Sequence, residues 1–196
     1  MNKELIKGLI AEYQQFVKSV SFVKRAVTLS DNFNYVFVGL RRVGKSYLMY
    51  QQIHHLIEIG ISPEEILFFN FEDERIAGMD TEHLDMIKRC YEEMYSHRPI
   101  FFLDEIQIVP HWEQFVRRLA DQKYRVYVTG SNAKMLSKDI ATTLGGRFMI
   151  QYVYPFSFRE YLSSNGVQLD KLWIYKNRSE VVRHFDTYFL VVCLNC

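Results

Sequence analysis

The chain has 196 residues, of which 48% are hydrophobic, so it can bury a core as one domain with at most a small appendage. Its 24 basic and 23 acidic side chains leave a net charge of +1, which gives no general attraction to nucleic acid or to a membrane surface. The sequence has no run of 18 apolar residues and no signal-peptide pattern, and its three cysteines are too few for a disulfide framework, so we expect a cytoplasmic protein without a membrane segment.

Apolar residues recur along the chain in patterns that predict alternating helices and strands. Apolar side chains at helical spacing predict helices over 3–20, after residue 44, over 81–96, around 112–119 and over 134–144. Short runs that are apolar throughout predict strands at 35–38, 66–71, 100–103, 124–129 and 148–153, each covered on both faces. This alternation favours an α/β fold, a three-layer α/β/α sandwich with a mostly parallel sheet. Ligands bind such sheets outside the carboxyl ends of the strands, where we expect the polar motifs to meet.

The first predicted strand leads into a glycine-rich segment, residues 39–46, that completes the phosphate-loop pattern G-x-x-x-x-G-K-[ST]. We expect Gly39 and Gly44 to take positive φ and to let the backbone approach a phosphate closely. The first N–H groups of the following helix attract anions, Lys45 can reach the outer phosphates, and Ser46 can supply a hydroxyl ligand to Mg²⁺. The sequence therefore predicts a nucleoside triphosphate site at the following residues: Gly39, Arg41, Arg42, Val43, Gly44, Lys45, Ser46 and Tyr47.

Two acidic residues, Asp104 and Glu105, directly follow the four apolar residues of the third predicted strand. Asp104 is predicted to hold Mg²⁺ opposite Ser46, usually through a water molecule. Glu105 is placed to polarise the water that attacks the γ-phosphate of ATP. A small-molecule kinase transfers phosphate to a hydroxyl group and has no need of this base, so the pair favours hydrolysis over that class of enzyme.

Several further polar positions each allow two interpretations. Ser131 and Asn132 follow the fourth predicted strand, where they either contact the γ-phosphate and the attacking water or cap a helix. Arg147 follows two glycines and either stabilises the charge of phosphoryl transfer, in its own or a neighbouring subunit, or meets the negative end of a helix dipole. Asn70 ends the second predicted strand and either restrains Glu105 or stabilises a turn.

Five motifs keep their order within residues 20–162: the phosphate loop, Phe-Phe-Leu-Asp-Glu-Ile-Gln, Val-Thr-Gly-Ser-Asn, Leu-Gly-Gly-Arg-Phe and Tyr-Pro-Phe-Ser-Phe-Arg-Glu-Tyr-Leu. In this respect the sequence resembles the prokaryotic predicted ATPases of the AAA+ superfamily, which have a P-loop NTPase core. The resemblance implies ATP and Mg²⁺ as ligands. It also assigns the site residues to elements of that family: Walker A (Lys45, Ser46), Walker B (Asp104, Glu105), sensor 1 (Ser131 or Asn132) and an arginine-finger-like position (Arg147).

Taken with the apolar patterns, the resemblance predicts three regions: 1–30 as an N-terminal helix and lead-in, 31–154 as the ATPase core, and 155–196 as the start of a truncated C-terminal region. Relatives in that family continue beyond the signature at 155–162, so the apolar end at 191–196 is either part of a truncated domain or a short tail docked on the core. The pattern C-x-x-C at Cys193 and Cys196 lacks a second pair of ligands, and we expect no metal site there. The signature itself is predicted to be a hinge.

The leading functional prediction is an ATP-binding protein that hydrolyses ATP with Mg²⁺ and couples the nucleotide state to a conformational change. The alternative is a nucleotide-regulated interaction module with little or no hydrolysis. ATP and ADP are the expected ligands, and self-association or a protein partner would engage the C-terminal region. The one basic cluster that could support nucleic-acid binding, Lys18, Lys24 and Arg25, is predicted to be a solvated face.

Overall fold

The computed structural model describes residues 2–131, 139–167 and 177–190, and these contain one parallel sheet. Its strands in chain order are β1 (Asn34–Val38), β2 (Ile66–Asn70), β3 (Ile100–Asp104), β4 (Val126–Gly130) and β5 (Phe148–Tyr152). Their order in space is β2-β3-β4-β1-β5, and every neighbouring pair is parallel. The predicted α/β fold with a parallel sheet is confirmed.

Helices connect and cover the strands, since parallel neighbours require crossover connections. In chain order they are α1 (Lys3–Ser19), α2 (Lys45–Glu58), α3 (Thr81–Met94), α4 (Trp112–Asp121), α5 (Asp139–Thr143), α6 (Phe158–Ser164) and α7 (Arg178–Tyr188). The first helix packs on β2 and α3, and α6 packs on α7. Among the described residues, no helix is long and apolar enough to cross a bilayer.

The four strands β1 to β4 are buried almost throughout, as their apolar runs predict. Aromatic rings from neighbouring strands stack in this core, with the centroids of Phe102 and Tyr127 4.4 Å apart. The expectation that every strand is covered on both faces is wrong for β5, where Met149 and Tyr152 are about half exposed. The reason is that β5 lies at the edge of the sheet formed by the described residues, with β1 as its neighbour.

The fourth strand begins later than its apolar pattern indicates, because the preceding helix ends later. The strand predicted from residue 124 begins at Val126, since the amides of Lys123 and Tyr124 donate to the carbonyls of Ala120 and Leu119 and close the end of α4. The helix predicted over 134–144 is observed only as α5, because 132–138 lie outside the described residues. Residues 191–196, with Cys193 and Cys196, also lie outside them.

Candidate nucleotide site

The phosphate loop, residues 39–46, joins β1 to α2 and owes its shape to two different glycines. Gly44 is the N-cap of α2 and has φ +90°, a conformation that suits glycine. Gly39 does not have the predicted positive φ. It is required for another reason, because a Cβ there would lie 2.3 Å from the carbonyl oxygen of Val153. The second left-handed position in the loop is Arg42, with φ +63°.

An open cleft of about 1030 Å³ lies in front of the first turn of α2. The first N–H groups of that helix receive no side-chain cap from Gly44, so they remain available to an anion. Val43 is buried and does not line the cleft, and neither does Gly39. The lining residues come from the loop and from the ends of β2, β3 and β4: Leu40, Arg41, Arg42, Gly44, Lys45, Ser46, Tyr47, Glu72, Glu105 and Ser131.

Lys45 and Glu105 face each other within the cleft. The Lys45 side chain is only 4% exposed; its Nζ donates to the Leu40 carbonyl at 2.9 Å and lies 3.6 Å from Glu105 Oε1. The other carboxylate oxygen, Oε2, accepts from Ser131 Oγ at 2.9 Å and from Gln107 Nε2 at 2.5 Å. The backbone of Glu105 is left-handed, with φ +52°. The structure therefore places the predicted base in a set of three polar contacts beside the phosphate loop.

Asp104 is joined to the loop through Ser46. Ser46 Oγ donates to Asp104 Oδ1 at 3.0 Å, and Thr129 Oγ1 donates to the same oxygen at 2.6 Å. Burial raises the pKa of Asp104 to about 6, although these two hydrogen bonds act in the opposite direction, and the carboxylates of Glu105 and Glu72 raise it further. The buried hydroxyl of Thr129 also accepts from the Glu105 N–H at 2.8 Å, so one side chain links both acidic residues.

The oxygen atoms of Ser46 and Asp104 suit magnesium. Mg²⁺ is commonly bound by one or two protein oxygen ligands while phosphate oxygens and water complete its octahedral shell. A hydroxyl and a carboxylate 3.0 Å apart at the base of the helix N-terminus match that chemistry. Within the described part of the chain, no cluster of three or more His, Cys, Asp or Glu side chains offers a separate metal site.

The rim of the cleft carries charge on both sides. Arg41 is exposed, and its Nη2 lies 3.4 Å from Glu72 Oε1. Asn70 accepts from the Glu72 amide at 2.9 Å, which agrees with the turn interpretation of Asn70. Tyr47 is half exposed beside the loop and packs edge-on against Tyr50, with ring centroids 5.5 Å apart.

Arg147 is not brought to the cleft. Its carbonyl accepts from Asn34 Nδ2 at 3.1 Å at the start of β1, and its Nε lies 2.5 Å from Asp121 Oδ1 at the end of α4. The phosphate loop begins at the other end of β1, roughly 13 Å away for a five-residue strand. The expectation that all polar motifs meet at the carboxyl edge is therefore wrong for Arg147. Asn132 lies outside the described residues.

The expectation that the basic cluster of Lys18, Lys24 and Arg25 is a solvated face is wrong for Arg25. The residue is 8% exposed, and its guanidinium reaches three partners. It donates to Glu160 Oε1 at 2.9 Å, to the Val43 carbonyl at 3.1 Å and to the Tyr154 carbonyl at 2.7 Å. Local sequence patterns do not reveal these contacts, because Glu160 is 135 positions further along the chain.

Together, the parallel sheet, the phosphate loop at the end of β1 and the acidic pair at the end of β3 define a P-loop NTPase of the AAA+ superfamily. A family profile described as "AAA domain" matches residues 31–162, and the chain belongs to that family. The fold is also found in the solved Hsp104–ADP complex of S. cerevisiae, with a TM-score of 0.51 and 16% identity over 84% of this chain and 23% of that one.

Two curated relatives extend beyond the region that they share with this chain. Uncharacterized protein MJ1544 of Methanocaldococcus jannaschii is 30% identical over 188 residues, which are 95% of this chain and 41% of that protein. An uncharacterized protein of Haemophilus influenzae is 34% identical over 168 residues, which are 84% of this chain and 42% of that protein. This chain thus spans about two fifths of the length of each of these two relatives.

Proposed function

We propose that this chain binds ATP with Mg²⁺ in the cleft, hydrolyses the β–γ phosphoanhydride bond and couples the nucleotide state to a conformational change. One observation carries the proposal. Lys45 and Ser46 come from one motif and Asp104 and Glu105 from another, yet Lys45 lies beside Glu105 and Ser46 donates to Asp104 at the start of α2. The Thr129 hydroxyl links the two pairs, through the Asp104 carboxylate and the Glu105 backbone N–H. The two pairs are the residue types that phosphoryl transfer to water requires, arranged around a helix N-terminus that can accept a phosphate.

In this proposal each side chain has a distinct part in the reaction. Lys45 leaves the Leu40 carbonyl and the Glu105 carboxylate to contact the outer phosphates. Ser46 and Asp104 would hold Mg²⁺, which would neutralise charge on the phosphate oxygens. Glu105 accepts a proton from the attacking water, and Ser131 orients the carboxylate through its hydrogen bond to Oε2.

In this proposal Arg147 contributes to the nucleotide site of a neighbouring subunit and not to that of its own chain. Its position at the amino edge of the sheet separates it from the cleft of its own chain. An arginine supplied from a second chain can stabilise the charge that develops during phosphoryl transfer. The alternative interpretation is that Arg147 has a purely structural part, in its ion pair with Asp121 at the end of α4.

A second candidate function is a nucleotide-regulated interaction module with slow or absent hydrolysis. The observation in its favour is that the Glu105 carboxylate is held by Lys45, Ser131 and Gln107. A base engaged in this way must be released, at least from Lys45, before it can accept a proton from water. Nucleotide binding is common to both candidates, and turnover separates them.

The first test measures the thermal midpoint with and without Mg·ATP for the wild type and for Lys45→Ala. A ligand that binds only the folded state, at a concentration about 100 times its dissociation constant, raises the free energy of unfolding by about 2.7 kcal/mol. In a chain of this size, that raises the thermal midpoint by roughly 5–10 °C. Lys45→Ala should abolish the rise, whereas the control Lys24→Ala, at an exposed lysine, should keep it. A wild-type midpoint that does not respond to Mg·ATP would contradict nucleotide binding.

Turnover is tested with Glu105→Gln, which keeps the size of the side chain and removes the base. We expect phosphate release to fall by about 100-fold or more while ATP affinity stays close to that of the wild type. Glu74→Gln, at an exposed acidic residue away from the cleft, serves as the matched control. Equal turnover in wild type and Glu105→Gln, with ATP still bound, would favour the interaction module.

A further inference from the structure

The signature at 155–162 takes no part in the chemistry proposed above, yet it is tied to the phosphate loop through Arg25. The guanidinium of Arg25 donates from Nη1 to the carbonyl of Val43, the residue directly before the N-cap of α2. From Nη2 it donates to the Tyr154 carbonyl, and from Nε to the Glu160 carboxylate. One side chain of the lead-in therefore contacts both the loop and the signature.

Glu160 is itself held on several sides. Its carboxylate accepts from the amide and the hydroxyl of Ser157 at 2.8 and 2.9 Å and from the amide of Ala26 at 3.2 Å, besides its bond from Arg25. Hydrogen bonds from Ser157, Ala26 and Arg25 lower the pKa of Glu160 against the effect of its burial. The carboxylate is thus kept ionised opposite the guanidinium.

The ion pair is withdrawn from solvent, with 7% of the Arg25 side chain and 11% of the Glu160 side chain exposed. The guanidinium also lies 4.8 Å from the ring centroid of Phe156, which covers it. A buried ion pair adds little net stability to the folded protein, because both charged groups lose their hydration. When every polar atom of the pair is hydrogen-bonded, however, the pair holds its surroundings in one geometry. An arginine is required here, because a lysine ammonium lacks the rigid fork that spans three acceptors in different directions.

We propose that Arg25 and Glu160 form a clamp that fixes the conformation of the phosphate loop and couples nucleotide binding to the position of residues 154–164. Neither residue lines the cleft, so both are positioning residues. A nucleotide that reorders the backbone before Gly44 moves the Val43 carbonyl, and Arg25 transmits this change to Glu160 and α6. By reciprocity, a displacement of α6 changes the affinity of the loop for nucleotide. This inference rests on the proposed function, since the loop must bind nucleotide.

The affinity test measures the dissociation constant of Mg·ATP by calorimetry at a temperature well below the melting transition. Glu160→Gln and Arg25→Lys should each weaken binding by about fivefold or more, and the double variant should lose little beyond the more affected single variant, because the two residues act as a unit. The control Glu180→Gln removes a glutamate of α7 that pairs with Arg183, and it should bind as the wild type does. Unchanged affinity in folded Glu160→Gln and Arg25→Lys would overturn the clamp.

A second measurement begins with the wild type alone, and that part does not depend on the folding of any variant. Mg·ATP should slow amide hydrogen exchange in α6 as well as in the first turns of α2. Glu160→Gln should retain the protection of α2 and lose that of α6, a result that a merely stabilising ion pair does not produce. Protection confined to α2 in the wild type would overturn the clamp and leave the proposed function intact. A wild type that binds no Mg·ATP in calorimetry would instead overturn the proposed function.

Discussion

At the scale of single residues, Thr129 joins the two acidic side chains on which the proposed chemistry depends. Its hydroxyl donates to Asp104 Oδ1 and accepts from the Glu105 N–H, and the residue is fully buried. The hydrogen bond to the amide helps to hold Glu105 in its left-handed conformation, which is uncommon for a residue with a side chain. A neutral strand residue therefore helps to position the Asp104 carboxylate and the backbone of Glu105.

Thr129→Val keeps the shape of the side chain and removes its hydroxyl. We predict that it lowers the free energy of unfolding by about 1–3 kcal/mol, because the buried Glu105 N–H is left without an acceptor. Turnover should fall as well, since the acidic pair loses its common support. Urea unfolding and phosphate release measure the two effects. Thr129→Ser is the control, because it retains the hydroxyl and loses one methyl group. A valine variant with more stability and turnover than the serine variant would show that the hydroxyl is dispensable.

The sequence was most informative about the site where the relevant residues are contiguous. Lys45 and Ser46 lie in one segment, and Asp104 and Glu105 in another, so their residue types and spacing indicate the chemistry directly. Thr129 was not identified, because a threonine near the end of an apolar strand is ordinary strand composition. The only available sign was its position directly before Gly-Ser at the end of a strand.

At the scale of elements, the ends of helices and strands depend on local backbone contacts that apolar patterns do not reveal. The apolar spacing predicted the first helix to within one residue at its end, and its start coincides with a cap, since Asn2 accepts from the Glu4 amide at 3.0 Å. Helix α2 ends at Glu58, two residues before Gly60, whose φ of +101° suits the left-handed position that follows a helix. By contrast, a hydrogen bond that closes the end of α4 comes from Tyr124, which the apolar pattern assigned to a strand. Two residues of β5 are half exposed because the strand lies at the sheet edge, which depends on topology.

Two glycines in different elements give a matched test of this account. Gly8 lies inside α1 and is exposed, and a Cβ there would meet no described atom within 4 Å beyond its chain neighbours and the backbone of its own helix. Gly8→Ala should therefore stabilise the chain by about 0.5–1 kcal/mol. A Cβ at Gly60 would meet no described atom within 4 Å either, beyond its two chain neighbours. The left-handed φ of this position is unfavourable for alanine, however, so Gly60→Ala should destabilise the chain by about 1–2 kcal/mol. Urea denaturation midpoints measure both changes. Shifts of the same sign would contradict the conformational explanation.

At the scale of the whole molecule, the two ends of the sheet carry different parts of the proposed site. The phosphate loop and the acidic pair lie at the carboxyl edge, whereas Arg147 lies at the amino edge, beside the end of α4. The order of the chain already implied this, because a residue that precedes a parallel strand stands at its amino end. The sequence did not indicate whether a second chain contributes Arg147 to the cleft.

If Arg147 acts from a neighbouring subunit, Arg147→Ala should bind Mg·ATP with unchanged affinity and lose about 1000-fold or more in turnover. Mixing it with Glu105→Gln should restore part of the activity, because sites that keep Glu105 then receive an arginine from the other variant. Arg118→Ala, which removes an exposed arginine paired with Asp85 on α3, is the control. A mixture no more active than the sum of the separate variants would argue against a shared site.

The contacts of Arg25 bear on where this protein can be divided for study. The matched family region starts at residue 31, as does the ATPase core predicted from the sequence, and that predicted core ends at 154. A fragment cut at those positions would discard both Arg25 and Glu160, and with them the hydrogen bond that holds the Val43 carbonyl. The smallest unit that keeps these contacts therefore begins before residue 25 and extends through α6. Expression fragments and domain-swap chimaeras are best designed to those limits.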